Sequence, residues 1–186
     1  MSDSTINLCV FLASRTGTDP RWTELTRDFA AGLAAHDYRL IYGGASVGLM
    51  GILADTALKA GVEVYGAIPR CLVDLEVAHG SLTRLAIVES MHERKQQMVD
   101  WSDAFVLLPG GVGSLEEIFE MITWKQLRIH EKPIVILNAD GYYDDLLGFL
   151  ASCVEKDFVQ QSLLDLIFVE TEIDAVFARL DSELQS

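Results

Sequence analysis

The strongest chemical signal in the chain is a pair of acids set one turn into a glycine-rich stretch, Pro109-Gly110-Gly111-Val112-Gly113-Ser114-Leu115-Glu116-Glu117. It follows an apolar run, Ala104-Phe105-Val106-Leu107-Leu108, that reads as a buried strand. It precedes a periodic segment over 115–129 that reads as a helix. A strand passing through glycines into a helix gathers free backbone N–H groups at one point, with the helix dipole behind them. That is an anion site. The stretch therefore reads as a holder for a nucleotide phosphate that also carries a catalytic carboxylate. Ser114-x-x-Glu117 fits a capping box as well, in which both side chains serve only the helix start. A second glycine-rich strand-to-helix turn, Gly43-Gly44-Ala45-Ser46-Val47-Gly48-Leu49-Met50-Gly51, favours the ligand reading over capping alone.

Helical phase sorts the acids. At about 100° per residue, Leu115, Ile118, Phe119, Ile122 and Ile129 share an arc that should face a sheet. Glu117 lies off that arc with Met121, Trp124 and Arg128, and Glu116 and Glu120 lie near the opposite side beside Leu127. The apolar Trp124 and Leu127 on the outer side point either to a subunit interface or to coverage by the same chain. The segment 90–101 holds a second anomaly. Met91, Arg94, Met98 and Trp101 fall on one helical face, and Lys95 follows Arg94. An arginine on an apolar face needs a partner for its charge. That partner is either a structural glutamate or an anion in a crevice.

The elements that must position these groups alternate along the chain. Strands are expected at 6–12, 38–42, 62–68, 83–88, 103–108, 132–138 and 164–169. Asp19-Pro20 opens a helix that runs to about Ala35 with Trp22, Leu25, Phe29 and Leu33 as its stripe. Further helices are expected up to Ala60, with Gly61 as the stop, and over 142–155 and 172–184. The segment 70–80 reads as loop with a helical turn. This order gives an α/β fold, a mostly parallel sheet with helices on both faces, in a single domain over 1–186. Ligands in such sheets bind at the carboxyl ends of strands, where both glycine turns lie and can face one crevice.

Composition narrows the function. The net charge of −14 disfavours nucleic acid as a partner and leaves room for a small anion only where positive groups concentrate. No apolar run approaches the roughly 20 residues of a membrane span, and no basic region precedes the first apolar run as in a signal peptide. Three dispersed cysteines fit reduced thiols in the cytoplasm. The four scattered histidines predict no metal site. The first strand lacks a G-x-G-x-x-G turn and the second ends without an acid, which disfavours NAD. No Walker-type phosphate loop is present.

The glycine motif 42–51, the stretch Met91-His92-Glu93-Arg94-Lys95 and the motif 109–117, in this order, resemble the LONELY GUY family of cytokinin riboside 5′-monophosphate phosphoribohydrolases. The resemblance spans nearly the whole chain. It implies a Rossmann-like, doubly wound nucleotide-binding domain, a homodimer or larger assembly with Trp124 and Leu127 as candidate interface, and no cofactor. By motif, Arg94 and Glu117 match the catalytic pair. Lys95, Gly110, Gly111, Val112, Gly113, Ser114, Leu115, Glu116, Thr123 and Glu76 match substrate-binding positions, and Gly43, Gly44 and Ser14 join them from the other loops. Ala45, Ser114 and Arg15 depart from the family's commoner glycine, threonine and serine, and Arg15 near the crevice bears on substrate preference.

The implied reaction is hydrolysis of the N-glycosidic bond of an N6-modified adenosine 5′-monophosphate to free base and ribose 5-phosphate. A general AMP nucleosidase, a non-catalytic nucleotide carrier of the same fold, and a scaffolding dimer are the alternatives. Lysine decarboxylation, a label often given to this family, needs pyridoxal phosphate on a lysine. Of the five lysines only Lys95 lies in a motif.

Overall fold

The computed structural model describes residues 5–73 and 78–185. Seven strands, β1 (Ile6–Phe11), β2 (Tyr38–Tyr42), β3 (Val64–Pro69), β4 (Arg84–Val88), β5 (Ala104–Leu107), β6 (Ile134–Leu137) and β7 (Phe168–Glu170), form one parallel sheet in the order β4-β3-β2-β1-β5-β6-β7. The helices are α1 (Arg21–Ala35), α2 (Gly48–Lys59), α3 (Met91–Trp101), α4 (Val112–Gln126), α5 (Asp144–Glu155), the short α6 (Gln161–Leu164) and α7 (Ile173–Leu184). The strand order reverses between β1 and β5, which makes their carboxyl ends the topological switch point.

Side-chain alternation builds the two helical layers. Leu8 and Val10 of β1 and Ala104 and Val106 of β5 face a core shared with Phe29 and Leu33 of α1, Leu53 of α2 and Phe177 of α7. Cys9, Phe11, Phe105 and Leu107 point the other way, to Met98 of α3 and Ile118, Met121 and Ile122 of α4. The doubly wound α/β expectation therefore holds, with helices on both faces.

Local chemistry explains most element ends. Asp19 Oδ1 accepts the Arg21 N–H at 3.0 Å while Pro20 is already helical, so the start of α1 is as its sequence suggests. The buried stripe of α1 is Thr26, Phe29, Ala30 and Leu33, with Trp22 and Leu25 half-buried at its edge. Gly61, at φ +83°, closes α2 with its N–H on Leu58 O and the Val62 N–H on Ala57 O.

Two expected elements move. Residues 161–164 are helical, so β7 begins at Phe168 rather than at 164. The helix expected over 115–129 begins at Val112 and ends at Gln126. Its stop is a left-handed Arg128 at φ 59°, which donates to Lys125 O while Ile129 donates to Trp124 O. Among the described residues no helix is long and apolar enough to cross a membrane.

Candidate active site

The early start of α4 changes the meaning of its first turn. Gly111 is the N-cap, and among the described residues no side chain caps this helix. The Ser114–Glu117 capping box is therefore not formed, because both residues already lie inside the helix. The first-turn N–H groups have no intrahelical partner by the geometry of a helix start. Ser114 is buried beneath Gly110, where an added β-carbon would lie 2.3 Å from the serine Oγ. At Gly111 and Gly113 an added β-carbon would meet none of the described residues within 4 Å. The turn is packed on its inner side and open on its outer side.

That open side forms one wall of a cavity of about 430 Å³ at the β1/β5 switch point. Gly110 through Ser114, Glu116, Glu117, Arg94, Ser14 and Arg15 line it, with Met50, Leu72, Met91 and Tyr142 supplying apolar surface. A larger groove of about 600 Å³ between α1 and α7 is lined by Asp28, Asp140, Glu172 and Asp174 and by no cationic side chain, so it repels phosphate.

Arg94 enters the cavity from α3. That helix is fixed at its start by Ser90, whose side chain accepts the Glu93 N–H at 3.1 Å, while Glu93 Oε2 accepts the Glu89 N–H at 2.8 Å. The Arg94 side chain is buried, and its charge is met by backbone. Nε donates to Ala67 O and Nη2 to Gly43 O, each at 3.1 Å. Register makes those carbonyls available. The β2–β3 ladder ends at the Tyr42–Gly66 pair, and Gly43 and Ala67 lie just beyond it. Nη2 also lies 3.9 Å from Glu117 Oε1. The buried face of α4 runs through Ser114, Ile118, Met121 and Ile122, which rotates the core arc toward Glu117. Met121 is buried, against the expectation from helical phase, and Ile129 is exposed beyond the helix end. Glu117 thus sits at the border between core and crevice, with 12% of its side chain exposed.

Lys95 ties the same two helices together. Its buried Nζ pairs with Glu116 and stands 2.9 Å from Glu120 Oε2. Burial alone would lower the Lys95 pKa, but the two carboxylates outweigh it and the net displacement is upward. Arg94 and Lys95 are sequence neighbours, and Glu116 and Glu120 bracket Glu117. The Lys95 pair therefore sets how α4 presents Glu117 to Arg94.

The other expected site residues divide. Ser14 lines the cavity; Gly43 lies against Arg94, and Gly44 against Leu85 and Ala67, so neither glycine lines it. Leu115 packs on the second core, and Thr123 is exposed about three turns along α4 with its hydroxyl on Phe119 O. Neither these two nor Lys95 lines the cavity. Glu76 lies outside the described residues. Trp124 packs partly against its own core, so coverage by the same chain accounts for it, whereas Leu127 is 64% exposed. Sequence reasoning missed Tyr142, whose hydroxyl donates to Gly110 O at 2.8 Å and whose ring meets Trp22 edge-on. Its signal was the Gly141-Tyr142 turn just past β6.

Residues 50–180 match the family model described as "Possible lysine decarboxylase". A probable cytokinin riboside 5′-monophosphate phosphoribohydrolase of Oryza sativa subsp. japonica is 42% identical over 160 residues, which is 86% of this chain and 72% of that protein. A cytokinin riboside 5′-monophosphate phosphoribohydrolase of Arabidopsis thaliana is 43% identical over 155 residues, 83% of this chain and 68% of that one. The chain belongs to the LONELY GUY family. Among solved structures, the molybdenum cofactor carrier protein of Chlamydomonas reinhardtii superposes with a TM-score of 0.74 over 98% of this chain and all of its own. Its sequence identity of 16% makes that a likeness of fold alone.

Proposed function

We propose that the protein hydrolyses the N-glycosidic bond of N6-modified adenosine 5′-monophosphates, releasing free base and ribose 5-phosphate. The observation that carries this reading is the position of Glu117. It stands one turn inside the open N-terminus of α4, beside Arg94, in a cavity that the glycine turn also lines.

The chemistry follows from that geometry. The 5′-phosphate rests on the N–H groups of the first turn of α4, with the helix dipole behind it. Binding there orients the ribose, so remote contacts hold the reacting carbon in place. As the bond between C1′ and the base nitrogen breaks, its electron pair leaves with the base and positive charge develops on the sugar. The Glu117 carboxylate stabilises that charge. Arg94, held by two carbonyls, keeps Glu117 in place. Water adds to C1′, and its proton passes to the departing base. The apolar surface of Met50, Leu72 and Met91 suits a hydrophobic substituent on the base.

Base release from isopentenyladenosine monophosphate, compared with AMP, is the test. Glu117→Gln is expected to abolish release while nucleotide binding persists. Wild-type rates in Glu117→Gln or Arg94→Ala would overturn the assignment, and nucleotide retained without turnover by the wild type would make the protein a carrier. The exposed Leu127 and Ile129 support a self-association surface. Leu127→Glu is expected to lower the mass measured by light scattering.

A further inference from the structure

Among the described residues, charge pairing around the cavity leaves one side chain over. Among the described residues, four side chains of charged type line it: Arg15, Arg94, Glu116 and Glu117. Arg94 spends two nitrogens on backbone carbonyls and faces Glu117, and Glu116 pairs with Lys95. Arg15 is exposed, and no carboxylate among the described residues pairs with it. The next arginine along the chain, Arg21, is already taken up by Asp19 and Asp140.

The backbone that carries Arg15 is seated, although its side chain is in solvent. Gly48 is left-handed at φ +57°. A β-carbon on it would lie 2.2 Å from the Ser14 carbonyl carbon and 2.4 Å from the Arg15 nitrogen. The bare glycine thus lets the loop after β1 lie against the start of α2. Arg15 lines the same cavity as Gly110 through Ser114.

We infer that Arg15 is a phosphate-binding and specificity residue, whose guanidinium closes over the phosphate of a phosphorylated sugar resting on the first turn of α4. A chain with a net charge of −14 repels a phosphate dianion at long range, so a local cation is needed to admit it. Arg94 is held in place by two carbonyls and already faces the Glu117 carboxylate. Helix N–H groups and a guanidinium fork are complementary donors, and the fork takes two phosphate oxygens at once. The class of ligand is therefore a sugar phosphate, with the phosphate recognised separately from whatever the sugar carries. The identity of the nucleotide rests on the phosphoribohydrolase reading; the role of Arg15 in phosphate binding does not.

Calorimetry with ribose 5-phosphate and with ribose tests this on the full chain, without turnover. Arg15→Ala is expected to weaken ribose 5-phosphate binding about tenfold, with Arg15→Lys intermediate because a point charge lacks the fork. The wild type should lose affinity with added salt more steeply than Arg15→Ala, as screening acts on an exposed cation. In turnover, the ratio of kcat/KM for AMP to that for adenosine should fall about tenfold in Arg15→Ala. Equal ribose 5-phosphate affinity in wild type and Arg15→Ala would overturn the inference, as would a wild type that binds no ribose 5-phosphate. Intact, Arg15-dependent ribose 5-phosphate binding without base release from any nucleotide would overturn the hydrolase reading and leave this one standing.

Discussion

Gly43 and Arg94 fit together because one of them has no side chain: a β-carbon on Gly43 would lie 2.0 Å from Arg94 Nη2. The atom in the way is the far end of a flexible side chain, so Gly43→Ala should displace the guanidinium rather than the strand. Arg94 would lose its bond to Gly43 O and its place beside Glu117. The expected cost in stability is about 1–2 kcal/mol, that of a disturbed charged hydrogen bond. The expected cost in kcat/KM is about a hundredfold, or roughly 2.7 kcal/mol of transition-state stabilisation. Base-release kinetics with a thermal melt separate the two. Wild-type kcat/KM in Gly43→Ala would show that Arg94 need not occupy this position.

Lys95 supports the same pair from behind. Lys95→Met keeps length and burial but leaves Glu116 and Glu120 facing each other without a cation. A destabilisation of about 1–3 kcal/mol is expected, below the full value of a buried pair because Glu116 is half-exposed. The raised Lys95 pKa fixes the pH dependence. Its stabilising contribution is fully present below the unfolded lysine value of about 10.4 and is lost as pH climbs above it. The stability gap between wild type and Lys95→Met, measured by denaturant titration, should stay level from neutral pH to about 10 and narrow only beyond.

His130 predicts the opposite end of the profile. It is buried, with Nε2 3.0 Å from Met121 O and Nδ1 accepting the Lys132 N–H at 3.2 Å. Only the neutral tautomer with its proton on Nε2 satisfies both contacts. Burial chiefly, with Lys132 and Lys125 adding to it, pushes the His130 pKa below its ordinary value. The unfolded chain then takes up a proton first as pH falls. Stability should be full above about pH 6.5 and decline below it. His130→Gln, which can donate to Met121 O and accept from Lys132, should be less steep between about pH 6.5 and 5. An unchanged slope would assign the acid sensitivity elsewhere.

These residues also show what the sequence carries and what it does not. Strands such as 104–107 were legible because a fully buried parallel strand is a short apolar run between turn signals. The end of α4 was not, since Arg128 takes a left-handed conformation that usually announces itself with glycine. Starting that helix three residues late makes Ser114 look like a cap, and counting Leu115, Phe119 and Ile129 as its core face puts Met121 outside. Arg94 was visible as an anomaly on an apolar face. Its partners were not, because which carbonyls stay free depends on where the β2–β3 ladder stops. Tyr142 comes from a loop after a different strand, and only folding brings it to Gly110.

Gly113 separates folding from ligand binding. It sits in the first turn of α4, lines the cavity, and has none of the described residues within 4 Å of where a β-carbon would go. In the empty protein Gly113→Ala meets no steric resistance and removes a flexible residue from a helix, a gain of about 0.5–1 kcal/mol. For a chain of this size that raises Tm by about 1–4 °C. If phosphate rests on these N–H groups, the same methyl group stands in its way, so KM for the monophosphate should rise about tenfold or more while the melt improves. Gly110→Ala should behave differently, since its β-carbon would strike Ser114 Oγ at 2.3 Å and destabilise the turn itself. A Gly113→Ala variant that melts higher and keeps its monophosphate KM would place the phosphate elsewhere in the cavity.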